Sequence, residues 1–236
     1  MSTRQSVVTF YYHLLSQPSR ALKIFLDRNQ IKYIPKEVQL AQGEHLQPEF
    51  EAINPFKKVP CISHNGFILT ESVAILRYLC REFDVADHWY PKDSLLQARV
   101  DEFLEWQHIE LRAPLAMYFR TKFLMPMITG KPPNQETVNK MYKMMIVGCD
   151  KVENIWLKDK PYLCGNSISI ADILGACEIE QPRMAGYDPT EGRPKLNEWM
   201  NRIKTDLDPH YADAHTYLNA VIKKNAGKSS ENVSKL

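Results

Sequence analysis

Ser16 is the residue with the clearest potential for chemistry, because it stands between a strand-like run and the start of a helix. Pro18 follows in the segment Ser-Gln-Pro-Ser and suits a first helical turn, where its missing N–H costs nothing. Unpaired N–H groups and partial positive charge at a helix start favour an anion. A hydrogen bond worth roughly 1.5–3 kcal/mol would lower the pKa of a docked thiol by about one to two units. The alternative is that Ser16 only caps the helix.

Two residue pairs are suited to the backbone and the end of a peptide-like ligand. A cis bond between Val59 and Pro60 would turn the Val59 backbone outward to pair with such a ligand, whereas an ordinary trans proline at a strand edge is equally compatible. Glu71 and Ser72 stand where another helix begins. The Ser72 N–H and hydroxyl suit a carboxylate and Glu71 suits an ammonium group, so together they suit an α-amino acid; simple capping is the alternative.

Cationic and polar side chains elsewhere are candidates to complete this site. His45 is placed to donate to a second carboxylate, with Lys57 or Lys58 beside it, although all three also fit a solvated surface. Arg112 follows Gln107 on a long helical pattern and is a candidate to face the site from a second domain. An arginine on a long helix is also commonly a solvated residue.

The elements that must position these residues alternate over the first ~85 residues. Residues 7–12 and 33–40 are predicted strands, with an apolar helical pattern between them. The dipeptide Asn65-Gly66 separates two short apolar runs and predicts a hairpin, and residues 73–82 predict a further helix. The order β-α-β-α-β-β-α predicts a small thioredoxin-like sheet. In that fold the Ser16 turn holds a CxxC pair, but both sulfurs are absent here, so a ligand must bring the thiol.

Everything after a predicted linker at residues 86–92 has a helical pattern. Residues 95–125 form one amphipathic stretch with a break expected near Pro114. Further helices are predicted at 135–157, after the capping sequence 169–172, at 194–206 and at 211–224. The prediction is therefore an α/β thioredoxin-like domain at residues 1–85, an all-α domain at residues 93–224, and a polar, disordered tail at residues 225–236.

Composition excludes several classes of function. Thirty basic and 28 acidic residues give a net charge of +2, without the basic excess of a nucleic-acid-binding protein. No apolar run reaches the ~20 residues of a membrane helix, and no secretory signal is recognised. Five cysteines without a CxxC pair favour reduced thiols in the cytoplasm over disulfides or zinc. Nucleotide-binding and metalloprotease motifs are absent, so no nucleotide and no metal is expected.

Several of these segments together resemble the soluble glutathione transferases, and among them the theta class. The runs NPxxKVP at residues 54–60 and TESxAIxxYL at residues 70–79 are specific to the family, while LLSQPSR at residues 14–20 and WQH at residues 106–108 point to theta. Residues 43–46, 98–102, 169–172 and 191–194 also match, so the resemblance covers roughly residues 6–220. It implies a homodimeric enzyme with glutathione as co-substrate, which conjugates the glutathione thiolate to small hydrophobic electrophiles and also reduces organic hydroperoxides.

The resemblance also implies roles for individual residues. Ser16 would donate to the glutathione sulfur, in preference to Tyr11 or Tyr12, which lie within the strand. Glutathione would be bound by His45, Leu46, Lys58, Val59, Pro60, Glu71 and Ser72. The electrophile site would be lined by Gln107, Arg112, Met117 and Phe119.

Two questions stay open at this point. Theta-class proteins carry a C-terminal extension over the active site, whereas residues 225–236 contain no aromatic residue or arginine, so a shorter or missing lid is an alternative. The same fold also serves in non-catalytic binding or assembly modules, which need not keep the complete set of thiol-activating and carboxylate-binding residues.

Overall fold

A four-stranded mixed sheet organises the first part of the chain in the computed structural model, which describes residues 7–233. The strands are β1 (Val8–Tyr12), β2 (Tyr33–Glu37), β3 (Cys61–His64) and β4 (Phe67–Leu69), in the spatial order β2-β1-β3-β4. β1 is parallel to β2 and antiparallel to β3, and β4 is antiparallel to β3. The predicted thioredoxin-like topology is confirmed.

Local sequence explains the strand pairing and the turn. Val8 and Phe10 alternate with less buried neighbours along β1 and are themselves fully buried. Asn65 and Gly66 both have positive φ, 55° and 80°, as the tight turn between β3 and β4 requires. The helices of this part are α1 (Gln17–Arg28), α2 (Pro48–Glu51) and α3 (Ser72–Glu82).

The remaining described chain is helical, as predicted, and its helices pack around one large apolar core. α3 ends at Glu82 and the next long helix begins at Ser94, so the division at residues 86–92 is compatible with the fold but stays a prediction. The helices are α4 (Ser94–Gln107), α5 (Ala113–Phe119), α6 (Met125–Thr129), α7 (Gln135–Lys151), α8 (Ile170–Glu180), α9 (Pro194–Asp206), α10 (His210–Ala214) and α11 (Thr216–Val233).

A widened π-helical turn, His108–Arg112, joins α4 to α5 at the break expected near Pro114. Pro114 has no N–H to offer the Glu110 carbonyl four residues earlier, so a regular α-turn would leave this acceptor unpaired. The carbonyl instead lies against α7 at Gly148, where an added Cβ would be 2.6 Å from the oxygen. Proline and this close approach together account for the wide turn that carries Arg112.

The α8 start confirms the predicted cap. Ser169 and Asp172 form a reciprocal capping box, and the Asp172 carboxylate also accepts from the Leu163 N–H at 2.9 Å and from Trp199 Nε1 at 3.0 Å. Burial raises the pKa of Asp172, while these hydrogen bonds oppose that shift. One side chain therefore holds the α8 start, the preceding loop and α9 together.

The C-terminal helix corrects one sequence prediction. Residues 225–236 were expected to be disordered, but α11 continues to Val233, so the prediction is wrong for residues 225–233; the last three residues lie outside the described part. The polar composition misled because tertiary contacts fix the preceding turns. Leu218 is fully buried, and Asn225 Nδ2 donates to the Met184 carbonyl at 3.0 Å. A helix anchored in this way propagates through residues that would not form one alone.

No helix within residues 7–233 combines the length and apolar character that crossing a membrane requires.

His215, which joins α10 to α11, should make stability depend on acid. Its ring stacks on Tyr211, and Nδ1 pairs with the Tyr211 carbonyl at 2.8 Å. Because that carbonyl only accepts, Nδ1 carries the proton of the neutral ring. Burial, together with the Arg20 charge, lowers the pKa of His215 from 6.5 to about 3. Only the unfolded chain binds a proton on this ring between these values, so the free energy of unfolding should fall by about 1.4 kcal/mol per pH unit below pH 6.5.

Urea denaturation at pH 7.0 and pH 5.0 measures this loss, and His215→Phe, which keeps the stacking, should lessen it. Burial also lowers the pKa of His13, so part of the slope should persist in the variant. The lowered pKa of Glu180, about 2, contributes mainly below pH 4.5 and leaves this interval to the histidines. An identical pH dependence in both proteins would contradict the prediction.

Candidate active site

Ser16 occupies the N-cap position of α1 without capping it. Its backbone is extended, with φ −81° and ψ 123°, and its side chain makes no hydrogen bond to the helix N–H groups. The hydroxyl Oγ instead donates to the Val59 carbonyl oxygen at 3.4 Å. Simple capping, the alternative use of this serine, therefore has no hydrogen bond to support it. The first turn of α1 also contains no acidic residue to offset the positive end of the helix.

A buried guanidinium lies directly behind this turn. Arg20 is fully buried and donates from one nitrogen to the carbonyls of Leu14 and Leu15, at 2.9 and 3.3 Å. Its other terminal nitrogen donates to the Cys177 carbonyl at 3.1 Å and to Gln181 Oε1 at 2.7 Å. All four acceptors are neutral, so the charge of Arg20 adds to the positive potential that an anion at Ser16 would experience. The sequence contained this arginine only as part of the run LLSQPSR, without a signal that it would be buried.

A cleft of about 150 Å³ opens between the sheet domain and the helical part of the chain. It brings together residues from the loop before β3, the start of α3 and the turn after α4. Its lining residues are Pro18, Asn54, Phe56, Lys58, Val59, Pro60, Thr70, Glu71, Ser72, His108 and Arg112. Lys58, Val59, Pro60, Glu71, Ser72 and Arg112 were candidate site residues in the sequence. The additional residues mostly flank them within the NPxxKVP, TES and WQH runs, and this proximity was the available signal.

The loop that carries Val59 is fixed by the buried amide of Asn54. Asn54 Nδ2 donates to the Lys58 carbonyl at 2.7 Å, and its Oδ1 accepts from the Phe56 N–H at 3.0 Å. The Val59–Pro60 peptide bond is cis, which decides between the two alternatives that spacing left open. Lys57 pairs with Glu51 at 2.9 Å, whereas Lys58 lines the cleft, so of the two lysines Lys58 is the one available to a ligand.

Glu71 has a backbone conformation that is unusual for its residue type. Its φ is 65° and its ψ is 110°, and such a conformation costs on the order of 1–3 kcal/mol. It immediately precedes Ser72, the first residue of α3, and the first turn of α3 contains no acidic residue. The strained residue therefore places a carboxylate beside an unneutralised helix start, at one side of the cleft.

His45 and Leu46 lie on a separate short turn, Glu44–Leu46, and neither lines the cleft. Leu46 is exposed. His45 is half-buried, and its Nδ1 atom is enclosed with no hydrogen-bond partner in the described part of the chain. The structure therefore keeps His45 polar and unsatisfied, but it does not join this turn to the cleft.

The four predicted electrophile-site residues lie in different environments. Arg112 lines the cleft, and its side chain is 32% exposed. Gln107 is buried, and its Oε1 atom has no partner among the described residues. Met117 is 41% exposed, whereas Phe119 is buried. Arg112 is therefore the residue of this group that reaches the cleft.

α11 covers Phe119 and so forms one wall of an apolar cluster next to the cleft. Phe119, Met184 and Leu218 are the buried members of this cluster. Leu15, the neighbour of Ser16, packs against it, together with Phe123, Leu124, Val221 and Ile222. The His13 and Tyr217 rings also meet edge to face at 5.2 Å, which ties the start of α11 to the β1–α1 turn. A C-terminal helix thus lies beside the Ser16 turn, which answers the open question of a cover.

The tyrosines and cysteines offer weaker alternatives for thiol chemistry. Tyr12 stacks on Phe10 at 4.8 Å, and burial, with a contribution from Glu37, raises the pKa of its phenol. All five cysteines are free, and burial raises the pKa of each, to about 12 for Cys61 and Cys80. Such thiols are poor nucleophiles. No group of three or more His, Cys, Asp or Glu residues within the described ranges is arranged to hold a metal ion.

Comparison with known proteins identifies the family. Two family models match, the glutathione S-transferase N-terminal domain over residues 6–81 and the glutathione S-transferase C-terminal domain over residues 117–205. The protein named glutathione S-transferase theta-1 of Bos taurus is 41% identical over 206 residues, which cover 87% of this chain and 86% of the relative. The Mus musculus protein named glutathione S-transferase theta-2 is 36% identical over 219 residues, covering 92% and 89% of the two chains.

Solved structures show the same relationship. Human glutathione-S-transferase T1-1 in its apo form superposes with a TM-score of 0.87 at 38% identity, covering 92% of this chain and 90% of the other. Human glutathione transferase theta-2, in complex with glutathione and an unknown ligand, gives a TM-score of 0.88 at 35% identity and coverage of 94% and 91%. The chain therefore belongs to the glutathione S-transferase family and is an enzyme of that family. Within it, this protein is a glutathione transferase of the theta class.

The Arg112–Glu178 ion pair should respond asymmetrically to mutation. Glu178, on α8, is fully buried, and its hydrogen bond with Arg112 is short. Arg112→Ala would leave a buried carboxylate without its partner, and we expect a loss of roughly 3–5 kcal/mol in the free energy of unfolding. Glu178→Gln should cost less, because the partly exposed Arg112 can return to water. The double variant Arg112→Ala/Glu178→Gln should recover much of the Arg112→Ala loss.

Urea denaturation of the three variants measures these differences. Arg77→Ala is a matched control, because Arg77 pairs with Asp101 and Glu105, which are both solvent-accessible. Its cost should stay within about 1 kcal/mol. Equal losses for Arg112→Ala and Glu178→Gln would contradict the proposed asymmetry.

Proposed function

We propose that this enzyme conjugates the thiolate of glutathione to small hydrophobic electrophiles, with Ser16 as the residue that stabilises the thiolate. The observation that carries the proposal is the position of the Ser16 hydroxyl. It stands at the start of α1 without capping it and lies within 3.4 Å of the Val59 carbonyl, at the edge of the cleft. A theta-class structure similar to this chain contains glutathione, which supports the same co-substrate here.

Glutathione has the groups that the cleft residues are suited to bind. Its γ-glutamyl end carries a carboxylate and an ammonium group, which match the Ser72 helix start and the Glu71 carboxylate. Its cysteinyl backbone matches the backbone N–H and C=O of Val59, as an added strand would. Its glycine carboxylate matches the Lys58 ammonium, with His45 and Leu46 on the neighbouring turn and Pro60 completing the loop. The cysteinyl thiol then falls between Val59 and Ser16.

The chemical step needs a thiolate at neutral pH. The thiol proton leaves to solvent, and the Ser16 hydroxyl donates to the sulfur, assisted by the α1 N-terminus and the buried Arg20 charge. Together these lower the thiol pKa from about 8.5 by roughly one to two units. The thiolate attacks an electrophilic carbon, an S–C bond forms, and the leaving group departs with its electron pair. Arg112 lines the cleft and is suited to donate to that leaving group.

The electrophile site extends from Arg112 towards the apolar cluster under α11. Phe119 and Met184 are buried there beside Leu15, and Met117 and Gln107 lie on the same helical stretch. An apolar wall beside a cationic donor suits small hydrophobic molecules with a polar leaving group. The same thiolate would also attack an organic hydroperoxide, giving an alcohol and a sulfenic acid, which a second glutathione converts to the disulfide and water.

Ser16→Ala tests the role of the hydroxyl. Loss of a hydrogen bond to a charged sulfur, worth roughly 1.5–3 kcal/mol, should lower kcat/KM by about 10- to 150-fold at neutral pH. The ultraviolet difference spectrum of bound glutathione should show thiolate at neutral pH in the wild type and only at higher pH in the variant. Ser19→Ala is a matched control, since Ser19 lies in the same helical turn and its buried Oγ has no partner in the described chain.

The outcomes separate the competing functions. Equal ionisation of bound glutathione in wild type and Ser16→Ala would remove Ser16 from the mechanism and direct attention to Tyr12 or the helix end. Absence of glutathione binding would favour the non-catalytic binding module.

A homodimer in the cytoplasm is the environment that we propose for this enzyme. Free cysteines fit a reducing compartment. β4 lies at one edge of the sheet and exposes Phe67 and Ile68, and Leu95 is exposed at the start of α4. Exposed apolar side chains on an edge strand are suited to burial against a second copy.

Sedimentation should give twice the chain mass of 27.4 kDa. Phe67→Glu should shift the equilibrium towards monomer, because it places a charge in the contact. Ile34→Glu introduces the same charge on β2, at the opposite edge of the sheet, and should leave the mass unchanged. A monomeric wild type would refute the dimer, and an unaffected Phe67→Glu dimer would refute this choice of surface.

A further inference from the structure

We propose that Glu178 is a positioning residue that sets the charge preference of the electrophile site. It holds the Arg112 guanidinium at the cleft and cancels its charge, so that the site selects neutral electrophiles over anionic ones. This inference rests on the proposed function and concerns the same site. It follows from the burial of one partner, the exposure of the other and the charges that remain once glutathione is bound.

The ion pair is one-sided in its exposure. The Glu178 side chain is 0% exposed, whereas Arg112 is 32% exposed and lines the cleft. Their hydrogen bond joins Arg112 Nη1 to Glu178 Oε1. A guanidinium has five N–H donors in a planar fork, so this bond leaves donors directed to the cleft side while the buried carboxylate fixes the plane of the group.

Glu178 has no competing attachment. Its second oxygen, Oε2, is buried without a hydrogen-bond partner among the described residues, so Arg112 is the interaction that stabilises the carboxylate. The other buried acids of α8 differ in this respect. Asp172 accepts several hydrogen bonds, and Glu180 pairs with both Arg183 and Lys204. Glu178 is thus the α8 carboxylate whose charge is committed to a residue of the cleft.

The remaining charges of the cleft are taken by glutathione under the proposed function. Lys58 is matched to a carboxylate, and Glu71 is matched to the ammonium group. The charged pair left facing the second substrate is Arg112 with Glu178, whose sum is zero. The sulfur beside it is anionic during the reaction, so an anionic electrophile meets repulsion from the thiolate and no uncompensated cation. A neutral electrophile still receives hydrogen bonds from the guanidinium at its leaving group.

Glu178→Gln separates charge from geometry. The amide has the shape of the carboxylate and keeps an oxygen that accepts from Arg112, but it leaves the guanidinium charge uncompensated. The probes are benzyl chloride and 4-(chloromethyl)benzoate, which share the reacting carbon and the leaving group and differ in charge. In the wild type we expect kcat/KM to favour benzyl chloride. In Glu178→Gln the ratio should shift towards the benzoate by roughly tenfold or more, mainly through KM, with benzyl chloride turnover little changed.

Two further variants make the comparison specific. Arg112→Gln/Glu178→Gln has no charge on either side chain, so its ratio should return to near the wild-type value. Glu180→Gln removes another buried acid of α8, two residues away, and should leave the ratio unchanged because Glu180 does not line the cleft. Thermal denaturation of each variant confirms that folded proteins are compared. Competitive inhibition of the wild type by benzoate should be weaker than by benzyl alcohol, and this needs no variant.

The outcomes distinguish this inference from the function on which it rests. Turnover of benzyl chloride with an unchanged ratio in Glu178→Gln would overturn the inference and leave the proposed function intact. A wild type that prefers the benzoate, or is inhibited more strongly by benzoate, would also overturn it. Absence of wild-type turnover with both electrophiles and glutathione would overturn the proposed function together with this inference.

Discussion

The buried guanidinium of Arg20 is the interaction on which the arrangement of the site depends. It arises from α1 of the sheet domain and is bonded both to the carbonyls of the β1–α1 turn and to the Cys177 carbonyl and Gln181 side chain of the helical part. A single cation therefore fixes the turn that carries Ser16 and joins it to α8. Because it is fully buried, its bonds must all be present together, which makes the turn rigid.

α8 is the element that this interaction shares with the rest of the site. Its start is held by Asp172, its middle receives Arg20 through the Cys177 carbonyl, and its next residue, Glu178, receives Arg112. Two arginines, one from each part of the chain, thus meet neighbouring positions of one buried helix. The distance between the Ser16 turn and Arg112 is fixed by this common support, so the thiol-activating group and the electrophile-facing group are set by one scaffold.

Strain and unusual backbone are concentrated where the cleft is formed. Glu71 has positive φ at the start of α3, and Arg112 ends a π-helical turn made necessary by Pro114 and accommodated by Gly148. Wide turns of this kind are frequently found at functional sites. In both cases the deviation places a charged residue at the cleft that regular geometry would direct elsewhere.

The sequence by itself determined the features that local physics controls. The alternation of β1, the Asn65-Gly66 turn, the Ser169–Asp172 cap and the bounds of α9 depend on neighbouring residues, and all were predictable from spacing and residue type. The runs around Ser16, Lys58–Pro60, Glu71–Ser72 and Arg112 also indicated the family and the candidate residues, most of which the structure gathers at one cleft. His45, Leu46, Gln107, Met117 and Phe119 do not line it.

Only the tertiary structure decided which charges are buried and paired. Arg20 meets Cys177 across 157 positions of sequence, and Arg112 meets Glu178 across 66, so no local pattern distinguishes these arginines from solvated ones. The continuation of α11 to Val233 likewise depends on the burial of Leu218 and on the bond from Asn225 to Met184, 41 residues away. The physical reason is the same in each case. Burial and charge pairing are set by which segments meet in space, whereas strands, turns and caps are set by residues that are already neighbours along the chain.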